Sequence, residues 1–229
     1  MFKVEDIERA RKIVSVIELP NCFGEDEYTQ EIIEDQIRDI VGSDFYVATG
    51  VSKAVIVVSD LPFVIKIPFN GTWEDNYEED EEDSYHDYPE FCFFEDGSEY
   101  NPDNYCEDEY EKTIHVEEAG FGVLVPEMEY LCDVNGRGVY IQEKVTPLDE
   151  SRRLHPSHDS LRKAEKYALS FRKEWIGLVI DTYGQGYWDR FLEWATAHEP
   201  SVISDMHSSN YGINKDGRPV MFDICGFRG

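Results

Sequence analysis

The chain has 229 residues, of which 41% are hydrophobic and 14% aromatic, so it can bury a core of its own. Its formal net charge of −28 disfavours direct binding to nucleic acid or to an anionic membrane, because both need clustered Lys and Arg. Five cysteines without a Cys-x-x-Cys pair indicate neither a disulfide framework nor a zinc knuckle. A charged N-terminus and the lack of a long apolar run argue against a signal peptide or a membrane span, and we expect a cytoplasmic protein.

Two helices are predicted first, because apolar residues follow helical spacing over residues 4–19 and again over residues 32–41. The residue pattern changes at Asp44 from helical spacing to short apolar runs. The runs DFYVATG, AVIVVSD and PFVIKIPF are short, rich in β-branched and aromatic residues, and separated by turn residues. They predict a three-stranded antiparallel meander.

An acidic segment follows the meander. Residues 74–111 contain eighteen Asp or Glu and no Lys or Arg, which accounts for −18 of the net charge. The segment also holds many aromatic residues, so we expect a partly ordered insertion at about residues 74–103 that runs into a helix over about residues 104–119.

The rest of the chain alternates between strand and helix patterns. GFGVLVPEM and GRGVYIQEKV predict two further strands, and residues 148–198 have helical spacing. YGINKDGRPVMFD predicts a terminal β-hairpin, in which Asp216 and Gly217 supply the positive φ angles of a tight turn. We therefore predict an α+β fold with a helical extension at 1–43, a small sheet lobe at 44–147 and a helical lobe at 148–229.

The stretch SDMHSSNYGINKDGRPVMFDICGF carries the most specific chemical pattern. Asn210 follows Asp205 by five residues, and Asp223 follows Asn210 by thirteen. Carboxylate and amide oxygens are the protein ligands that Mg²⁺ prefers beside phosphate groups. The spacing predicts a magnesium and phosphate site; turn and strand-end roles for these residues are the simpler alternative.

This stretch resembles the catalytic loop and metal-binding motif of the protein-kinase-like superfamily, which includes the aminoglycoside and choline phosphotransferases. The resemblance implies a two-lobed fold with an antiparallel-sheet N-lobe and a truncated helical C-lobe, using ATP and Mg²⁺. Asp205 would orient the acceptor hydroxyl and take its proton, and Asn210 and Asp223 would hold the metal. His207 is similar to the His of small-molecule phosphotransferases, where typical protein kinases have Lys.

Two further residues match the superfamily upstream. Lys66 in FVIKIPF resembles the lysine of the third kinase strand, which pairs with ATP phosphates. That lysine needs a carboxylate partner, and we choose Glu109 because it shares one helical face with Cys106, Thr113 and Val116. Its acidic neighbours Glu107 and Glu111 compete for the role.

The nucleotide-binding segments match less well. ATGVSKAV keeps Gly50 and Ser52 but lacks the full Gly-x-Gly-x-x-Gly, so a phosphate loop and a plain hairpin turn are both compatible with it. In VYIQEKV, the resemblance puts Gln142 near the gatekeeper position. It puts the backbone of residues 143–145, with Glu143 and Val145, against the adenine edge.

Three functions are compatible with these residues. The first is a kinase acting on protein Ser, Thr or Tyr, or on itself, and the second is a small-molecule phosphotransferase. The third is a non-catalytic acidic module that occupies a basic surface of a partner protein. Only six residues follow Asp223, so we expect no activation segment, and the acceptor must be presented by other parts of the chain or by a partner. An ATP- and Mg²⁺-dependent phosphotransferase with a protein substrate is our leading prediction.

Overall fold

The computed structural model describes residues 2–18, 27–50, 53–69, 105–134, 136–148, 175–204 and 210–224. These residues form a mixed α+β fold, as the sequence predicts. Among them, no helix combines the length and the apolar character that crossing a bilayer requires. The helices are α1 (Val4–Val14), α2 (Glu27–Val41), α3 (Tyr105–Val116), α4 (Gln185–His198) and α5 (Pro200–Ser204), and residues 175–183 are also helical. The strands are β1 (Phe45–Thr49), β2 (Lys53–Val58), β3 (Phe63–Pro68), β4 (Met128–Val134), β5 (Arg137–Glu143), β6 (Val145–Pro147), β7 (Tyr211–Asn214) and β8 (Pro219–Met221).

The chain divides into two compact units. Unit 1 comprises Met1–Glu107 and Glu129–Ile141 with Gly229, and unit 2 comprises Asp108–Met128 and Gln142–Arg228. Within the described residues, the chain therefore passes from one unit to the other after residues 107, 128 and 141. The sequence-based division assigns residues 108–128 and 142–147 to the sheet lobe, whereas both segments belong to unit 2.

Unit 1 is built on a five-stranded antiparallel sheet in the order β1-β2-β3-β5-β4. The predicted meander over its first three strands is confirmed, with Val47 opposite Ile56 and Ile56 opposite Ile65. Side chains alternate between the two faces of a strand, so these opposed residues lie on one face. That face is apolar and carries the core of the unit.

Helices α1 and α2 contribute the other half of this core. Both have apolar residues at helical spacing, as predicted, and their apolar sides are buried with the sheet. Phe2 and Phe63 make an edge-to-face contact with ring centroids 4.9 Å apart. The fully buried core residues include Ala10, Ile13, Ile33, Ile37, Ile56, Phe63, Ile65 and Ile67.

Unit 2 contains a three-stranded sheet in the order β6-β7-β8 and an aromatic core. The terminal hairpin is confirmed, with Tyr211 of β7 opposite Met221 of β8. Trp175 and Tyr211 pack with ring centroids 5.8 Å apart, which joins the helix at residues 175–183 to the sheet. Large aromatic side chains bury much apolar area each, so this core is well suited to hold the hairpin in place.

One predicted strand is absent, and one observed strand was not predicted. GFGVLVPEM does not form a strand: after α3 the chain makes a π-type turn over Glu117–Phe121, kinked at Gly120 with a φ of 85°, and a 3-10 turn over Gly122–Leu124, and β4 begins only at Met128. Phe121, Leu124 and Val125 are buried at i, i+3 and i+4, a helical spacing inside an apolar run that resembles a strand. Strand β6 was missed because three residues ending in proline show no alternation.

Candidate functional site

Helix α3 brings one acidic residue into the interior. The predicted inward face is confirmed: Cys106, Glu109, Thr113 and Val116 are all buried, and Glu109 has 0% exposure. The competing carboxylates Glu107 and Glu111 are exposed. Helical periodicity explains the difference, because residues 106, 109, 113 and 116 follow one stripe of the helix.

The buried carboxylate of Glu109 accepts hydrogen bonds from two distant parts of unit 2. Its Oε1 accepts from Nε2 of Gln142 at 2.9 Å and from the backbone N–H of Asp223 at 2.7 Å. The Gln142 amide also lies 3.8 Å from Sδ of Met128. A buried carboxylate is costly unless donors surround it, and hydrogen bonds to a charged group are stronger than neutral ones. Glu109 thereby links α3, β5 and the segment after β8.

Asp223 has an unusual backbone conformation at this point. Its φ angle is 56°, and among the described residues it is the one non-glycine residue with a positive φ. The left-handed region costs an L-residue about 1 to 2 kcal/mol, less for Asp than for most residues. Its N–H is bound by Glu109 and its C=O accepts from Nδ2 of Asn210 at 3.0 Å. Both ends of the residue are therefore held, which fixes the direction in which its carboxylate leaves the backbone.

Asn210 is positioned by the hairpin. Its C=O accepts from the N–H of Phe222 at 2.8 Å, so the residue before β7 is tied to the residue after β8. In the turn, the side chain of Asn214 accepts from the N–H groups of Asp216 and Arg218. Gly217 supplies the positive φ of 76°, whereas Asp216 does not, which corrects the expectation that both would. The hairpin thus places Asn210 and Asp223 side by side.

Residues 143–145, whose backbone the resemblance places beside adenine, lie at the end of β5 and the start of β6. Glu143 is buried, its side chain lies 3.4 Å from both Nδ2 of Asn214 and Nζ of Lys215, and its N–H donates to Glu127 at 2.8 Å. Val145 pairs with Asn214 in the three-stranded sheet. These contacts join β5 and β6 to the hairpin turn.

The remaining predicted residues belong to unit 1 or lie outside the described residues. Lys66 is on β3, opposite Val55, and is buried. Gly50 follows β1, and its N–H donates to the C=O of Lys53 at 2.9 Å. Asp205, His207 and Ser52 lie outside the described residues. The structure therefore brings together Glu109, Asn210 and Asp223, and describes Lys66 and Gly50 separately with unit 1.

Sequence reasoning missed the link between Gln142 and Glu109. The resemblance placed Gln142 near the gatekeeper position but predicted no hydrogen-bond partner for it. The two residues are 33 positions apart on different element types, so no spacing rule connects them. A buried acid on α3 does require a donor, and that requirement is the signal that could have prompted a search for one.

The side chains of Asn210 and Asp223 carry oxygen atoms of the kind that Mg²⁺ prefers. The amide nitrogen of Asn210 donates to the carbonyl of Asp223, so Oδ1 is the atom of this amide that would face a metal ion, and the side chain of Asp223 carries a carboxylate. Mg²⁺ commonly takes one or two protein oxygens and fills its other positions with water and substrate phosphate. Within the described ranges, no cluster of three or more His, Cys, Asp or Glu forms a metal site.

No family model, curated protein or solved structure matches this chain. The resemblance to the protein-kinase-like superfamily therefore rests on the residues quoted above.

Proposed function

We propose that this chain is an ATP- and Mg²⁺-dependent phosphotransferase of the protein-kinase-like type, acting in the cytoplasm on hydroxyl groups of proteins, its own included. The observation that carries the proposal is the contact of Glu109 with the backbone of Asp223, itself bonded to Asn210. The sequence motif selected Asn210 and Asp223 as metal ligands, and helical periodicity selected Glu109 as the carboxylate partner of Lys66. Glu109, Asn210 and Asp223 meet although 114 positions separate Glu109 from Asp223.

The burial of Glu109 adds weight to this contact. An acid that serves only solubility stays at the surface, as Glu107 and Glu111 do. A buried acid that bonds a strained aspartate is typical of sites where a backbone conformation is fixed for a purpose. In the proposed enzyme, Glu109 is a positioning residue that sets the direction of Asp223.

Each residue has a distinct role in the proposed reaction. Asp205 accepts the proton of the acceptor hydroxyl, Lys66 pairs with nucleotide phosphates, and Asn210 and Asp223 hold Mg²⁺. Bound Mg²⁺ would supply charge neutralisation at the phosphates. The acceptor oxygen bonds to the γ-phosphorus, the bond from that phosphorus to the bridging oxygen breaks, and ADP leaves.

The acceptor class follows from charge. A net charge of −28 attracts cationic partners, so hydroxyl groups in basic protein segments are the favoured acceptors. A cationic small molecule would be attracted by the same field. The test must therefore tell the two apart.

The experiment is transfer of labelled γ-phosphate from Mg-ATP, with the purified protein alone and with a cell lysate. We expect label on a protein band, and a loss of about 100-fold or more in Asp205→Ala and in Asp223→Asn, since each removes a group that acts on the transfer. Glu107→Gln changes an exposed acid on α3 and serves as the matched control, with activity unchanged.

Other outcomes identify the alternatives. ATP binding without label on any protein would replace the protein acceptor by a small molecule. Absence of ATP binding would contradict the proposed phosphotransferase activity and would favour the non-catalytic acidic module that binds a basic surface of a partner protein.

A further inference from the structure

The side-chain amide of Gln142 is buried and directed at Glu109. Gln142 lies on β5 with 2% of its surface exposed, and its Nε2 donates to Oε1 of Glu109 at 2.9 Å. A buried amide must satisfy its hydrogen-bonding groups, and here its partner is a carboxylate that is itself fully buried. The resemblance places Gln142 near the gatekeeper position and gives its side chain no such task.

Two contacts fix the orientation of this amide. The nitrogen of a primary amide carries two hydrogens, and Nε2 lies 2.9 Å from Oε1 of Glu109 and 3.8 Å from Sδ of Met128. The opposite orientation would place the amide oxygen against a carboxylate oxygen, and two acceptors without a hydrogen between them repel each other. Gln142 therefore acts as a donor to Glu109.

One oxygen of Glu109 receives both Gln142 and Asp223. Oε1 accepts from the N–H of Asp223 at 2.7 Å, in addition to its bond from Gln142. A glutamate side chain has several staggered rotamers, which place its carboxylate in different positions. The bond from Gln142 favours the rotamer in which Oε1 also meets the backbone of Asp223.

The contact reaches the proposed metal ligands through this backbone. Asp223 has a φ angle of 56°, and its C=O accepts from Nδ2 of Asn210 at 3.0 Å. A left-handed conformation of a non-glycine residue persists where the surrounding contacts determine it. Gln142, Glu109, Asn210 and Asp223 all belong to unit 2, so this chain of contacts lies within one compact unit.

We propose that Gln142 is a positioning residue of the proposed phosphotransferase, which acts through Glu109 to hold the metal ligand Asp223 in its left-handed conformation. This inference rests on the proposed function, because it gives Gln142 a role at the Mg²⁺ site of that enzyme. A contact between the amide and the nucleobase is the alternative role, since residues 143–145 follow Gln142 directly. The test separates the two.

The first measurement is phosphate transfer as a function of free Mg²⁺, with ATP and with GTP. Gln142→Met keeps most of the side-chain volume and removes the donor. Loss of an outer partner of a metal site costs about 10-fold or more in metal affinity or activity, so we expect the Mg²⁺ concentration for half-maximal transfer to rise about 10-fold. The ratio of the rates with ATP and GTP should stay unchanged. A changed ratio with an unchanged Mg²⁺ requirement would overturn the proposal.

The matched control is Gln185→Met, the same substitution at an exposed glutamine of unit 2. Gln185 also donates to a carboxylate, that of Asp189, at 2.8 Å. The Mg²⁺ requirement of this variant should equal that of the wild type. The contact of Gln185 is on the surface, so the comparison isolates the buried contact of Gln142.

A double-mutant cycle tests whether Gln142 acts through Glu109. Glu109→Met removes the acceptor, and the double variant Gln142→Met/Glu109→Met removes both partners. Residues that act in one chain of contacts are not additive, so the double variant should lose no more than Glu109→Met alone. Losses that multiply would show that Gln142 acts independently of Glu109 and would overturn the proposal.

Nuclear magnetic resonance of the wild-type protein covers the case in which Gln142→Met does not fold. Two donors on one oxygen each place a hydrogen about 2 Å from it, so the two hydrogens lie within about 4 Å of each other. We expect a nuclear Overhauser effect between the side-chain amide of Gln142 and the N–H of Asp223. Its absence, with both signals assigned, would overturn the contact.

Hydrogen exchange gives a readout that does not depend on activity. In a folded Gln142→Met protein, the N–H of Asp223 should exchange with solvent several-fold faster than in Gln185→Met, because its acceptor is less firmly held. Equal exchange rates in the two variants would contradict the role of Gln142.

The outcomes separate this inference from the proposed function. If the wild type transfers phosphate and Gln142→Met behaves like Gln185→Met, the role of Gln142 is wrong and the phosphotransferase stands. If no phosphate is transferred but exchange at Asp223 depends on Gln142, the positioning contact stands and the phosphotransferase is wrong. If there is no transfer and exchange is equal, both are wrong.

Discussion

Asp223 has a disfavoured backbone conformation, and its backbone N–H and C=O are hydrogen-bonded by the side chains of Glu109 and Asn210. The left-handed φ costs about 1 kcal/mol, and a buried bond to a charged acceptor contributes about 1.5 to 3 kcal/mol. The hydrogen bond from the N–H of Asp223 to the carboxylate of Glu109 is thus sufficient to hold the left-handed conformation. Asn210 adds a second restraint at the carbonyl. Because the N–H and the C=O of Asp223 are both held, the direction of its Cα–Cβ bond is fixed before any ligand binds, which in the proposed enzyme would lower the cost of binding a cation.

Removing the restraint should show in stability. Glu109→Ala leaves the amide of Gln142 and the N–H of Asp223 without their acceptor in a buried position, so we expect a loss of about 3 kcal/mol in the free energy of unfolding. Urea denaturation followed by circular dichroism measures it. The control Glu107→Ala changes an exposed acid on the same helix and should shift the free energy by less than about 0.5 kcal/mol. Equal losses in the two variants would contradict the contact.

At the scale of elements, the local sequence pattern predicted the structures that are formed by residues close together in the chain. The meander, the inward face of α3 and the terminal hairpin follow from alternation, helical spacing and turn residues. The strand expected at GFGVLVPEM is absent because an apolar run is compatible with either period, and here Phe121, Leu124 and Val125 are buried at helical spacing. β6 exists because β7 pairs with it, a tertiary cause that three residues cannot reveal.

The pairing of β6 with β7 depends on a glycine. A Cβ atom at Gly212 would collide with the backbone oxygen of Thr146, so Gly212→Ala must push the strands apart. We expect the midpoint of thermal unfolding to fall by several degrees, about 3 to 6 °C for a cost of about 1.5 kcal/mol. Gly177→Ala is the matched control on a helix, where nothing lies within 4 Å of the added atom, and it should leave the midpoint unchanged or raise it. A stable Gly212→Ala protein would contradict the close approach.

The whole molecule carries a large charge of one sign. Its net charge is −28, with −18 from residues 74–111. Like charges on a compact chain repel, and dissolved salt screens exposed charges over roughly 10 Å at about 0.1 M. Compaction is therefore opposed by electrostatics more at low ionic strength than at high ionic strength.

Stability should increase with salt. We expect the thermal midpoint to rise by about 2 °C or more when NaCl is raised from roughly 20 mM to roughly 300 mM, because screening weakens the self-repulsion. Scanning calorimetry measures the shift. KCl should act like NaCl, and glucose at equal osmolarity should have a smaller effect. A midpoint that falls with salt would mean that attractive pairs, such as Arg9 with Asp60, outweigh the repulsion.

How far the sequence predicts the site also depends on scale. The spacing of Asp205, Asn210 and Asp223 marks one stretch of chain, and helical periodicity chose Glu109 among several acids. The hydrogen bond between Glu109 and Asp223 spans 114 positions, and no local rule relates residues so far apart.

Strand order in unit 1 has a consequence for synthesis on the ribosome. β5 lies between β3 and β4 in the sheet, yet β3 ends at residue 68 and β5 begins at residue 137. Chains grow from the N-terminus, so one edge of β3 has no partner strand until about seventy further residues have been added. An unpaired strand edge can pair with another nascent chain. More than half of the residues made in that interval belong to the acidic segment at residues 74–111, and we expect the like charges of these segments to repel neighbouring nascent chains until β5 closes the sheet.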